Sequence, residues 1–294
     1  MMRPRTRPID ALLLVDKPAG ITSHDVVSVA RRALGEKRIG HAGTLDPFAT
    51  GLLVLLTGRA TRVLPYVEGE PKEYEATIRW GAETDTDDAT GTVTREAPGS
   101  MPARAEIDAA IATLTGRLEQ LPPDYSAKQV GGRRAHAAAR SGAPLVLAPV
   151  TVHVHSWVVR AHRESELETD VTIACGAGTY IRALARDLGR ATSSAAHLSA
   201  LRRTRSGPFD VAGATSFADL RDQRAALRSP REAIPSIAEQ RVSPEDAARL
   251  ARGMRVGATI NGDRVALLDH SGALLAIAER SGSDWQPRVV LANE

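Results

Sequence analysis

Residues Gly40 to Leu56 read GHAGTLDPFATGLLVLL, and the two halves of that stretch obey different rules. The first, through Gly51, holds three glycines, a proline, a histidine and one carboxylate, the composition of a surface connection of the kind where sites are placed. The second, Gly51 to Leu56, is a short apolar run with the length of a buried strand. Working back, Ser23 to Leu34 puts Val26, Val27, Val29 and Ala30 on one helical side and stops at Gly35, and Ala11 to Val15 reads as another buried strand. Asp16 to Ile21, with Pro18 and Gly20, is then a loop, and Gly40 to Thr50 a long surface connection. Working forward, Arg59 to Val67 is helical in pattern, and Glu73 to Trp80 alternates, with Tyr74, Ala76, Ile78 and Trp80 on one face. Gly91 to Arg95 is expected to pair with that strand as a hairpin.

Further along, Ala103 to Leu114 has a helical pattern, and Pro122-Pro123 marks a break before a basic segment that runs through Pro149. Val150 to Arg160 and Leu167 to Cys175 alternate as strands, and a helix over Thr179 to Leu188 follows the tight turn Gly176-Ala177-Gly178. Ser216 and Ser243 are expected to cap short helices. From Arg264 onward, short strands are separated by Ser-Gly turns. The fold class is α+β: a large domain over 1–235, with a mixed, mainly antiparallel sheet flanked by helices, and a small β module over 236–294. Pro230 and Pro235 punctuate the boundary.

The chain has 294 residues, 43% hydrophobic and 25% charged, an ordinary globular composition that excludes a wholly disordered or collagen-like chain. A single cysteine, Cys175, excludes a disulfide framework within the chain and a multi-cysteine zinc site. The opening has no secretory pattern and no segment approaches the length of a membrane span, so a cytoplasmic protein is expected. Net charge is only +3, so a polyanion site must come from clustering. Lys128, Arg133, Arg134 and Arg140 stand against Asp124 alone between Leu121 and Val150, Arg202, Arg203 and Arg205 make a second cluster, and Arg3, Arg5 and Arg7 a third. One cluster is an ordinary solvated surface as readily as a site; three together favour a nucleic acid.

Asp46 before Pro47 could open a turn and do no more. Held in extended backbone by Pro47, it could also present a carboxylate nucleophile or base. His153 and His155 share a strand face but have no evident third metal ligand. The acidic run Glu83, Asp85, Asp87, Asp88 has Thr90 where a calcium loop counted from Asp85 wants glycine, so no metal is assigned to either group. There is no P-loop, and Gly176-x-Gly178 lacks the third glycine of a dinucleotide fingerprint.

Four stretches, DKPAGITSHDVV, GHAGTLDPFATGLL, GTYIRALARDLG and LRRTRSGPF, span Asp16 to Phe209, with KEY at Lys72 to Tyr74 and YSAK at Tyr125 to Lys128 in order between them. Together they resemble the bacterial TruB type of tRNA pseudouridine synthase, which isomerises the uridine at the tip of the T-arm. The resemblance implies Asp46 as the catalytic aspartate, Tyr74 stacked on the target base, and Arg182 holding Asp46 ionised. It implies Tyr180 against the base or the aspartate, Leu201 lining the pocket, and His41 filling the gap left by a flipped nucleotide. Lys17 is expected to support the aspartate loop or touch a phosphate. Lys128, Arg133, Arg134, Arg140, Arg202, Arg203 and Arg205 would meet phosphates. His136 departs from a tyrosine common among relatives, so no stacking role is given to it. The C-terminal module is similar in order and size to a PUA-type RNA-binding domain. No cofactor, no guide RNA and no membrane are expected, the partner is the tRNA T-arm stem-loop, and the enzyme is expected to be a monomer. A tRNA-remodelling protein, and a hydrolase pairing Asp46 with an acid such as Asp85, are the other readings.

Overall fold

The structure is a computed structural model that describes residues 9–97, 101–125 and 145–292, together with the backbone of 129–130 and 133–134. Lys128, Arg140 and His136 lie outside the described residues, as do Arg3, Arg5 and Arg7. The chain forms two compact units: one of Met1–Pro47, Gly51–Gly69 and Pro208–Glu294, the other of Phe48–Thr50 and Glu70–Gly207.

The first unit begins with β1 (Leu12–Lys17), α1 (Ser23–Leu34), β2 (Ile39–Ala42) and β3 (Thr50–Thr57). β1 and β3 are antiparallel, with Leu13 opposite Leu55 and Leu14 opposite Val54. Leu12, Leu14, Leu52, Val54 and Leu56 enter one core, while Leu13, Val15, Leu53 and Leu55 enter another with Val26, Val27 and Ala30 of α1. Both faces are covered, which is why these strands read as continuous apolar runs. α1 starts at a Thr22–Asp25 capping box and ends at Gly35 in the left-handed conformation, φ 63°. The expected surface connection at Gly40 is partly a strand: β2 pairs with β3, placing Gly40 opposite Leu56 and His41 opposite Leu55. Four residues were too few to show a period.

The second unit holds β4 (Lys72–Trp80), β5 (Ala82–Thr84), β6 (Val93–Glu96), α2 (Arg104–Thr113) and β7 (Gly116–Gln120). After them come the two-residue strands β8 (Gln129–Val130) and β9 (Arg133–Arg134), then β10 (Val150–Arg163), β11 (Glu168–Cys175), α3 (Ile181–Ala191) and β12 (Ala196–Ser206). Its sheet has the order β12-β4-β11-β10-β7, antiparallel throughout. Tyr74, Ala76, Ile78 and Trp80 are buried, as their alternation requires. The Gly91 to Arg95 stretch does not pair with β4: β6 pairs with β5 in a separate ribbon. Helix α3 packs on β12, where Gly189 allows a close approach; a Cβ there would lie 2.5 Å from the Ala196 nitrogen.

The chain then returns to the first unit through β13 (Phe209–Asp210), β14 (Thr215–Ser216), α4 (Phe217–Arg221) and β15 (Leu227–Arg228). The Ser216 and Ser243 hydroxyls cap α4 and α5 (Pro244–Ala251) as expected. Between and after them, β16 (Glu239–Arg241), β17 (Val256–Gly257), β18 (Arg264–Leu268), β19 (Leu274–Ser281) and β20 (Asp284–Val290) form a five-stranded sheet in the order β16-β18-β19-β20-β17. One face, with Val265, Leu267, Ala276 and Trp285, makes its own core with Leu250 of α5. The other, with Ala266, Leu268, Ile277 and Val289, joins the core of Leu12, Leu14 and Val54.

Candidate active site

The loop carrying Asp46 is held on both sides by the segment that enters α1. Ser23, buried at the start of that helix, accepts from the Leu45 amide at 2.9 Å and donates to the Leu45 carbonyl at 3.1 Å. On the other side the Pro47 carbonyl accepts from the Gly20 amide at 2.8 Å and from Lys17 Nζ at 3.3 Å. Lys17 is fully buried and also donates to the carbonyls of Pro18 and Ile21, at 3.0 and 2.8 Å. Asp46 is therefore flanked by two residues whose backbone groups are fixed, and its own side chain is half-buried. Thr50, four residues on, belongs to the second unit and donates to the Leu201 carbonyl at 3.5 Å.

In the second unit the register of β12, β4 and β11 builds rows across one buried face. Arg203, Tyr74 and Ile173 form one row, and Leu201, Ala76 and Val171 the next. Tyr74 is 8% exposed, Leu201 7% and Arg203 1%, so a ring, an apolar side chain and a guanidinium share one sheltered surface. Arg203, expected among the phosphate contacts near the pocket, is buried in the row of Tyr74. The adjoining row is Ser206, Lys72 and Cys175. Burial lowers the pKa of Lys72, with Arg203 acting in the same direction. Burial also pushes the Cys175 thiol up to about 11, which suits an inert core residue. On the opposite face Arg202 stands across from Glu75 and Arg205 across from Glu73, the latter arginine exposed.

Helix α3 carries Arg182, Arg186 and Arg190 at four-residue spacing, one above another. Arg182, 4% exposed, donates to the Thr86 carbonyl at 2.7 Å and the Tyr125 carbonyl at 2.9 Å, and lies 3.8 Å from Asp88. Arg186 meets Asp87 at 2.8 Å and Arg190 meets Glu83 at 2.7 Å. Three carboxylates of the acidic run thus pair with the three arginines of one helix, a function that chain spacing alone did not reveal. Burial raises Glu83, but the guanidiniums of Arg190 and Arg95 overcome it and leave its pKa at about 2. Tyr180, at the start of α3, has its amide and carbonyl tied to the Gln120 side chain, at 2.8 and 3.1 Å. Gln120 is 2% exposed; its place at the end of a short strand gave no signal in the sequence. His153 and His155 approach Nδ1 to Nδ1 at 2.9 Å on the exposed side of β10, and no group of three metal-ligating side chains occurs among the described residues.

Residues 31–181 match the family described as TruB family pseudouridylate synthase (N terminal domain), and 182–247 match the tRNA pseudouridylate synthase B C-terminal domain. The chain belongs to the TruB family. A relative from Thermobifida fusca, named tRNA pseudouridine synthase B, is 41% identical over 96% of this chain and 99% of its own. One of the same name from Leifsonia xyli is 44% identical over 93% of each. Among solved structures, an archaeal box H/ACA sRNP complex aligns at 25% identity and a TM-score of 0.71, over 98% of this chain and 89% of that one. An H/ACA RNP bound to a substrate RNA containing 2'-deoxyuridine aligns at 24% and 0.70, over 95% and 84%, a likeness of fold. This TruB-family chain is accordingly a pseudouridylate synthase, an isomerase, with the α+β fold expected of it. No helix among its described residues is long and apolar enough to cross a membrane.

Proposed function

We propose that this enzyme converts one uridine in the T-arm loop of tRNA to pseudouridine, unaided by a cofactor or a guide RNA. The observation that carries the reading is the two-sided clamp on Leu45 and Pro47, which fixes the backbone around a single half-buried carboxylate, Asp46. In the reaction the N1–C1′ bond breaks, the uracil turns in place, a C5–C1′ bond forms and the C5 proton leaves while N1 gains one. Atoms and electrons balance without a redox partner. Asp46 serves either by attacking the nucleoside or by taking a proton from the sugar, and both routes need the same ionised group. Tyr74 and Leu201, on one sheltered face of the second unit, are assigned to the detached base, and Arg182 and Tyr180 to the same reaction.

A uridine in a folded loop must leave its stack, at a cost of a few kcal/mol, and His41 is assigned to the gap it leaves. Residues 1–235 make the catalytic domain and 236–294 a PUA-like RNA-binding module. The basic stretch 121–150, with Arg133 and Arg134, and the pair Arg202 and Arg205 are assigned to phosphates. The protein acts as a cytoplasmic monomer.

The test is tritium release from a T-arm stem-loop labelled at C5 of uridine, with chelator present and no cofactor. Release by the wild type and none by Asp46→Asn, which keeps its affinity, is expected. Full turnover by Asp46→Asn overturns the catalytic assignment, and tight binding without release by the wild type points instead to a tRNA-remodelling protein.

A further inference from the structure

The Asp87–Arg186 pair stands one helical turn beyond Arg182 and takes no part in the reaction as described above. Asp87 has a positive φ of 59°, a conformation that glycine adopts freely and that costs residues with a Cβ, asparagine and aspartate least. It is also 6% exposed, and burial pushes its carboxyl up to about 6 against the pull of Arg186 and Arg182. A backbone penalty and a burial penalty thus fall on one residue, although glycine or asparagine would make the same turn without a buried charge. What the carboxylate provides is Arg186, itself 6% exposed, which it meets at 2.8 Å. Arg186 also donates to the Leu121 carbonyl at 2.9 Å and to Asp187 at 2.9 Å.

Two pieces of chain that touch Arg182 are held by this pair. Arg182 donates to the carbonyls of Thr86 and Tyr125; Asp87 is the next residue after Thr86, and Leu121 opens the stretch that reaches Tyr125. The turn is docked independently on β12, where the Leu198 amide donates to the Asp87 carbonyl at 3.1 Å. We propose that Asp87 and Arg186 are positioning residues for Arg182, their ion pair holding the Thr86–Asp88 turn and the Leu121–Tyr125 stretch against α3 so that the Arg182 guanidinium keeps one orientation. The functional part of this inference rests on the reading that Arg182 serves uridine isomerisation.

The test uses the full chain with Arg186→Gln, Arg186→Lys, Asp87→Asn, Asp87→Gly and the double variant Asp87→Asn with Arg186→Gln. On the C5-tritiated stem-loop, kcat is expected to fall roughly tenfold or more in Arg186→Gln and Asp87→Asn with KM within about twofold. The double variant should be no slower than the worse single, and Arg186→Lys should recover part of the rate. Asp87→Gly, whose turn is relieved of strain, should fold and still be slow. Amide exchange over 84–90 and 121–125 should quicken in Arg186→Gln, and the Arg182 Nε–H signal in a proton–nitrogen spectrum should shift or broaden. Unchanged kcat in both single variants, fully additive losses, or an unmoved Arg182 signal would overturn the proposal. If the wild type itself releases no tritium, the activity reading fails, and the exchange and Arg182 signals alone decide whether the pair positions Arg182.

Discussion

Ser23 holds Leu45 by both backbone groups, accepting from its amide and donating to its carbonyl, one residue before Asp46. The hydroxyl that begins a helix is thereby a brace for the loop that carries the carboxylate. Ser23→Ala leaves a buried amide and carbonyl unpaired, which costs about 1–3 kcal/mol. Denaturant unfolding should show that loss. Turnover at saturating stem-loop should fall roughly tenfold while affinity holds, because the brace acts on the aspartate and not on phosphates. Unchanged turnover would separate the brace from catalysis.

Glu83 sets a pH dependence of stability. Its folded pKa of about 2 lies below its ordinary value of 4.5, so the folded state favours the ionised form. The stabilisation is complete above pH 4.5 and is lost as pH falls from there toward 2. Its partners Arg95 and Arg190 are 43% and 53% exposed, so solvent screens the pairs and the contribution is on the order of 1–2 kcal/mol. Glu83→Gln should be less stable than the wild type by that amount at pH 7, with the two unfolding curves converging near pH 2. Equal stability at pH 7 would refute the ion-pair account.

The helix at Ser23, its glycine stop and the alternation in β4 were legible because one residue type per position carries the signal. β12 was not, although Leu201 and Arg203 belong to it. Register shifts between Leu198 and Ala200 and between Arg203 and Arg205 break its period of two, so Arg203 and Arg205, two residues apart, read as one side of a strand while the bulge sends them to opposite faces. The aspartate loop was legible as a motif, but the hydrogen bonds of Ser23 and Lys17 to it span 22 and 30 residues. Backbone carbonyls leave no trace in side-chain patterns. The pairing of the acidic run with α3 was hidden for a related reason, since those partners lie about a hundred residues apart.

Gly189 tests how closely α3 must approach β12. A Cβ at this position would lie 2.5 Å from the Ala196 nitrogen and 2.9 Å from the Ala195 carbonyl carbon, backbone atoms that cannot step aside. Gly189→Ala gains helix propensity of roughly 1 kcal/mol yet should lose about 1–3 kcal/mol from overpacking. Thermal unfolding should therefore show no gain, and turnover should fall as Arg182 and Arg186 move with the helix. A stabilised, fully active variant would mean that the helix has room to spare.

Lys17 separates two roles by salt. Its ammonium is fully buried and donates to three carbonyls, including that of Pro47, which makes it a support of the aspartate loop; a phosphate contact would need it at the surface. Lys17→Met keeps the length of the side chain and removes the charge. As a support it should lose about 2–4 kcal/mol of stability and most of its turnover, while the slope of log affinity against log salt stays as in the wild type. A residue that meets a phosphate behaves otherwise: its loss reduces that slope by about 1 and weakens binding uniformly. Arg205→Ala, exposed on the outer face, is the control expected to change the slope and leave stability within about 0.5 kcal/mol. A reduced slope in Lys17→Met with stability unaltered would return Lys17 to the phosphate contacts.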